Sequence, residues 1–544
     1  MYPVIHNKFF WAAALIMLVA FLSNCGQKIA ARNELSGLPS VENAISDGKL
    51  ALPLSDEPQG LNPLISNDPS SRQAQAFIFQ GLMRLDSDLA YTPELAERYE
   101  FSPDGKKWTF YLRKDVQWHD GAPFTAEDVI FTYEKVLDPK TRSPYREKLV
   151  INGEPVKFTL LDRYTIRATL PEPYAPFMQM MALPIVPKHV LEGKDKVFQL
   201  FARKPIGTGP FIYYEWQNES HLTLLANKTF YRGNPKLGSV VFQFIPKDAE
   251  MDVALRNNNV QAGILPLESY LHQPTRNNLF VYAYPGLSYT YLGLDLAAPQ
   301  FQDVRTRQAI AHAVNILGIT QELFHGAVVL QSSPIAFSSW ASPEGLYQRS
   351  YDPEKAKKLL RSAGWVVDPK TMVLLKDGKP FSFTLLVDRS VLFADKAAER
   401  MNEDLKAVGI EMKVQMAERY EIQKILSASA GPKPFQAVLT ETTSSIDPDL
   451  YNTWHSSQYP QGKNYFGFKN DRADTLLEKG RATIDTRQRQ KIYASFSRIL
   501  SEEQPCVFLW SPKEVMAVNQ RVGGYIQPSV AGTFVFPEKA YIVK

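Results

Sequence analysis

FSPDGKKWTFYLRKDVQWHDGAPFTAEDVIFTYE, residues 101–134, is where the fold is written most plainly. Asp104-Gly105 separates Tyr99-Glu100-Phe101 from Trp108-Thr109-Phe110-Tyr111-Leu112. An Asp-Gly pair between strand-like stretches predicts a hairpin. Asp120-Gly121 marks a second turn, and Thr125-Ala126-Glu127-Asp128 then opens a helix. Thr125 is placed to cap an orphan N–H, and the acidic residues suit the positive helix end. Val129, Tyr133 and Val136 fall at spacings of four and three, which gives that helix one buried face. Trp108 and Trp118, inside these strand-like stretches, are expected in the core.

Upstream, Gly48 to Leu52 begins the fold. Downstream the pattern changes. Phe383 to Val387 is a continuous apolar run, and Ala397, Met401, Leu405 and Val408 share a helical face that Gly409 ends. Ile410, Met412, Val414 and Met416 then alternate with Glu411, Lys413 and Gln415. Strand, helix and strand in that order predict a crossover to a parallel neighbour. Asp352-Pro353-Glu354 before Ala356, Leu359, Leu360 and Ala363, with Gly364 after them, marks another helix with its cap, its N1 proline and its stop. The expected fold class is α/β.

The N-terminus reads as targeting. Phe9 to Leu22 is uncharged and apolar, then Leu22-Ser23-Asn24-Cys25-Gly26 follows. The run fits a signal peptide's apolar region and falls short of the ~20 residues of a membrane-spanning helix. The Leu22–Cys25 stretch resembles a bacterial lipobox, in which the cysteine takes lipid; Asn24 stands where Gly, Ala or Ser is usual. Residues 1–24 are therefore expected to be a signal peptide and 25–45 a tether lipidated at Cys25. The roughly 520 residues beyond the leader exceed one ordinary domain. Sixty-one Lys and Arg against 57 Asp and Glu, mixed along the chain, form no basic footprint for nucleic acid. Of two cysteines, Cys506 lies in an apolar run and reads as a small buried hydrophobe.

Catalytic signatures do not assemble. The eight histidines are scattered, with no H-E-x-x-H, G-x-S-x-G or Walker sequence. Gly207-Thr208-Gly209-Pro210 loses one N–H donor to proline and reads as a rigid turn. No metal, cofactor or catalytic residue is expected.

Several blocks carry a family resemblance: residues 101–134 above, Leu61-Asn62-Pro63, Ile78 to Leu82, Pro93 to Glu97, Ile185 to His189, Pro205 to Pro210, FQDVRTRQAIAHAVN at 301–315, YDPEKAKKLLRSAGW at 351–365, and IYASFSRILSEEQPCVFLW at 492–510. Together they resemble the bacterial extracellular solute-binding proteins of family 5, the receptors of ABC importers for peptides, nickel and related solutes. The resemblance implies a two-lobed periplasmic-binding-protein fold with a hinge and an extra subdomain in the first lobe. It places the first lobe at 46–59, 187–280 and 506–544, the subdomain at 60–186 and the second lobe at 281–505. It also implies a monomer in the periplasm or at the cell surface, permease subunits as partners, and a small, peptide-like solute as ligand. A polyol, oligosaccharide or metal chelate remains the alternative solute, and a hydrolase using the same cleft the alternative class.

By the same resemblance, the segment AVLTETTSSIDPDLY, 437–451, should face the ligand. Peptide-binding members carry an aspartate three residues before an acidic residue and proline, where it pairs with the peptide's ammonium. Here Asp447-Pro448 matches the pair and Ser444 stands at the aspartate's place. A hydroxyl hydrogen-bonds an ammonium without neutralising it; Glu441 could supply the charge from another position. The candidate ligand residues are Asn62, Thr440, Glu441, Thr442, Ser444, Asp447, Trp454, Phe508 and Trp510.

Overall fold

Strand β1 (Gly48–Leu54) is the end strand of a four-stranded sheet in the first lobe, buried at every position but Lys49. The computed structural model describes residues 39–544, apart from 274–276, 429–432 and 526–527. The leader, Cys25 and most of the expected tether therefore lie outside the described residues. At the end of that tether, Ala44 bridges Val543 and the Ile45 side chain packs against the first lobe's core.

Residues 96–137 fold as expected. Strands β2 (Ala96–Phe101) and β3 (Lys107–Leu112) pair antiparallel around a turn in which Gly105 takes φ 68°. Helix α1 (Ala126–Leu137) starts in a capping box between Thr125 and Asp128. Strands β4 (Lys157–Asp162) and β5 (Thr165–Thr169) complete a four-stranded antiparallel sheet in the order β2-β3-β5-β4. Trp108 and Trp118 are buried in the core, as expected.

The chain then returns to β1. Strands β6 (Phe211–Gln217), β7 (His221–Ala226) and β8 (Leu237–Phe244) form a second sheet, β1-β8-β7-β6, with β1 and β8 parallel. Gly207 and Gly209 lie against the backbone of Ile78: a Cβ at Gly207 would sit 1.9 Å from the Ile78 carbonyl oxygen. That close approach is what the glycine-rich turn provides.

Next come β9 (Ala262–Leu265), β10 (Leu279–Pro285), β11 (Ser288–Leu294), α2 (Val304–Ala313), β12 (Val328–Leu330), α3 (Pro353–Ser362), β13 (Ser382–Asp388), α4 (Ala394–Lys406), β14 (Glu411–Ala417), β15 (Ala437–Thr443), α5 (Asp471–Ala482), α6 (Thr486–Glu503) and β16 (Cys506–Asn519). Strand β13, helix α4 and strand β14 make the expected unit, with β13 and β14 parallel and Gly409 at φ 85°. Asp352 and Asp303 cap α3 and α2. Arg305 pairs with Asp303 at the surface, whereas Arg307 is buried and donates to the Glu503 carbonyl.

The eight-stranded sheet runs β9-β16-β11-β15-β13-β14, and β10 and β12 also pair with β16. Strand β16 changes partners along its length. Cys506 to Trp510 face β11, and Lys513 to Asn519 face β10. Two chain segments therefore cross side by side between lobes: β10 into β11 through Gly286, and β16 through Pro512. The lobes also touch away from this crossover, where the Ala175 N–H donates to the Arg481 carbonyl at 2.8 Å and the Tyr174 hydroxyl to Asp449 at 3.4 Å. The result is a two-lobed α/β fold with a separate core on each side.

Candidate functional site

Three adjacent strands place three residues in one row: Thr290 of β11 is in register with Glu441 of β15 on one side and Trp510 of β16 on the other. Side chains on a strand alternate between faces. Ser288, two residues before Thr290, is opposite Thr443, and their hydroxyls lie 2.8 Å apart. This row forms part of the wall of a cavity of about 250 Å³. Ser390, Val391 and Leu392, just beyond β13, line it from the second lobe, and Gly286, Pro512 and Glu514 line it at the crossover.

The polar groups of this wall are under-committed. Thr290 is fully buried, and its hydroxyl has no hydrogen-bond partner among the described residues. The Glu441 carboxylate makes no hydrogen bond or ion pair to any described residue; its neighbours are felt only through their charge. Burial pushes its pKa above the ordinary value, the Arg419 guanidinium opposes the rise, and Asp388 adds to it. Arg419 is itself engaged, 3.0 Å from the buried Asp388 and 2.8 Å from the Ser390 hydroxyl.

The sequence candidates separate in space. Glu441 and Trp510 line the cavity together. Thr440 lies on the other face of β15 and donates to Asp388 at 2.8 Å. Thr442 shares that other face and is exposed. Ser444 donates to the Pro334 carbonyl at 3.2 Å. Asp447 is held in a bidentate pair by Arg489, at 2.8 and 2.7 Å. Asn62 is fully buried in the first lobe, accepting from the Leu64 N–H and donating to the Phe198 carbonyl. Trp454 and Phe508 pack together, with Tyr289 and Phe468, in a separate cluster.

A β-bulge parts Phe508 from Trp510. Thr290 pairs with Trp510 but Tyr291 pairs with Phe508, so Leu509 is an extra residue in β16. Strict alternation would put 508 and 510 on one face; the insertion sends them to opposite faces. Sequence reasoning missed Ser288, Thr290 and Glu514. A signal for the first two was present in Ser288-Tyr289-Thr290-Tyr291, where small polar residues alternate with aromatic ones.

A concave, partly apolar site with a few convergent polar groups, set where two lobes meet at paired crossover strands, is the geometry of a small-molecule binding site. A sequence profile described as bacterial extracellular solute-binding proteins, family 5 Middle, matches residues 90–474. The chain belongs to this family, which is one of solute receptors rather than enzymes. It is 30% identical over 524 residues to the oligopeptide-binding protein AppA of Bacillus subtilis, covering 94% of this chain and 95% of that one. The solved structure of that AppA in complex with a nonapeptide superposes with a TM-score of 0.70 at 29% identity, over 92% of this chain and 100% of the other. NikZ from Campylobacter jejuni in complex with Ni(L-His) gives 0.72 at 25% identity, over 91% and 100%.

Proposed function

We propose that this chain is the substrate-binding receptor of an ABC-type importer, that it takes a peptide-like solute into the cleft between its lobes, and that Glu441 receives the solute's ammonium group. The observation that carries this reading is the Glu441 carboxylate, half-buried on the cavity wall beside the Thr290 hydroxyl, neither of them with a hydrogen-bond partner among the described residues. A buried charge is costly until it is paired; a ligand ammonium supplies the pair. Trp510 gives the same wall an apolar surface. Thr440, Thr442, Ser444, Asp447, Asn62, Trp454 and Phe508 then act by holding the surrounding elements. The peptide ligands named for AppA support the solute class. The change of partners along β16 supports lobes divided near Gly286 and Pro512, a few residues beyond the expected 280 and 505.

Titration calorimetry with a free-amine tripeptide and its N-acetylated form tests the reading. Glu441→Gln is expected to weaken the free peptide about 30-fold or more, the cost of leaving a buried charge without its partner, and to leave the acetylated one little changed. Tight binding of the free peptide, untouched by Glu441→Gln, would overturn it. The sign with pH follows. Binding needs the carboxylate, and burial raises its pKa. Affinity is therefore lost on acidification at a higher pH than an ordinary carboxylate would give, and the Gln variant lacks that acid limb.

In the same reading the protein is a monomer in the periplasm or at the cell surface, docks on permease subunits, and is held to the membrane by lipid on Cys25. Mass spectrometry of the mature N-terminus should show Cys25 first and carrying acyl mass, with Cys25→Ser unacylated. A cut elsewhere, with no added mass on Cys25, rejects the anchor.

A further inference from the structure

The cavity has a second acidic wall. Glu514 lies on β16 four residues past Trp510, opposite Tyr284 of β10. It therefore belongs to the stretch of β16 paired with β10, while Glu441 belongs to the second lobe's β15. Its carboxylate accepts a hydrogen bond from the Tyr284 hydroxyl at 3.1 Å and makes no ion pair with any described residue. Gly286 leaves that carboxylate uncovered: a Cβ there would stand 3.1 Å from Glu514 Oε1. Burial pushes the Glu514 carboxyl upward, and the Tyr284 hydrogen bond only partly offsets this.

Among the described residues, no lysine, arginine or histidine lines the cavity. Arg419, the cation whose charge reaches Glu441, is taken up by Asp388 and Ser390. Thr290 adds a buried, unpartnered hydroxyl aimed along the same face as Glu441. Two half-buried carboxylates on the walls of one small space each lose part of their solvation, a cost that a cation beside each offsets. A ligand carboxylate would find no positive partner on these walls.

We propose that Glu514 is a second cation-binding residue and that the solute held in this cavity carries two amino or guanidino groups, one for each carboxylate, with no free carboxylate beside them. This rests on the reading of Glu441 given above. At about 250 Å³ the cavity falls just below the usual range of ~300–1,000 Å³ for small-molecule sites, so the cationic part of the solute is no larger than a short peptide amide.

Three probes of similar size test this by calorimetry: alanyl-lysine amide with two cations, alanyl-norleucine amide with one, and N-acetyl-alanyl-norleucine amide with none. The dication is expected to bind about tenfold or more tighter than the monocation, the lower end for close interfacial charge pairs. Glu514→Gln should erase that preference, weakening the dication more than the monocation, so that the two bind about equally. Tyr284→Phe, which keeps the charge and removes only the hydrogen bond, should retain the preference, and thermal unfolding of each ligand-free variant reports whether it folds. Should Glu514→Gln unfold, Glu514→Asp takes its place and must change the dication-to-monocation ratio. Equal binding of dication and monocation, or a preference that survives Glu514→Gln, overturns the proposal alone. Failure of Glu441→Gln to weaken the monocation, or no binding of any probe, overturns the reading beneath it as well.

Discussion

Arg489→Ala should lower the stability of the second lobe by about 3–5 kcal/mol, the cost of stripping one partner from a buried ion pair. Arg489 and Asp447 are both buried, 4% and 7% exposed. The guanidinium grips both carboxylate oxygens, and its Nε donates to the Gly480 carbonyl at 2.9 Å. Burial alone would favour the neutral guanidine; hydrogen bonding to Asp447 and its charge reverse that and hold Arg489 protonated. With alanine at 489, Asp447 is left as a buried carboxylate without its cation, and the loop after β15 loses its tie to α6. Urea unfolding is the measurement. A double change, Asp447→Leu with Arg489→Met, removes both charges and should recover most of the loss. A single variant within about 1 kcal/mol of the parent would show that the pair does not anchor this loop.

Trp510→Ala is expected to cost about as much, 3–5 kcal/mol, through the void left by a large buried side chain. Trp510 is 1% exposed and packs against Phe324 with ring centroids 5.3 Å apart. It also forms the apolar side of the ligand wall, so affinity should fall with stability. Trp510→Phe separates the two effects: it keeps much of the packing and should recover most of the stability in ligand-free unfolding. If Trp510→Ala unfolds at the parental urea midpoint, the side chain is not bearing the packing assigned to it.

What could be read from the residues was local. The hairpin at 96–112 has its Asp-Gly turn, α1 has its capping box, and α3 has its aspartate, proline and glycine in the right places. Each signal lies within a few residues of what it specifies. The pairing of β1 with β8 lies nearly two hundred residues apart and leaves no local mark. Within the site, Thr440 to Ser444 looked like one hydroxyl-rich tract, whereas a strand deals its residues alternately to opposite faces. Glu441 and Thr443 thus fall on the cavity side, and Thr440 and Thr442 on the other. Phe508 and Trp510 share a parity that predicts a shared face, and one inserted residue, Leu509, cancels it. Bulges of this kind depend on partner strands, which the linear text does not name. Glu514 carries no motif at all; only the meeting of β10 and β16 sets it beside the cavity.

The late strand β16 also dictates an order of events during synthesis. It is the partner of β9, β10, β11 and β12, all complete by residue 330, yet its own first residue is Cys506. At about 5–20 residues per second, a ribosome needs roughly 10–40 s to travel from one to the other. Throughout that interval four finished strands have an open edge and the sheet that joins the lobes has no centre. The nascent chain is thereby kept from locking into its final shape until almost its last forty residues are made. A polypeptide that must be threaded through a narrow channel before it folds gains from that delay, and here the delay is written into the strand order itself.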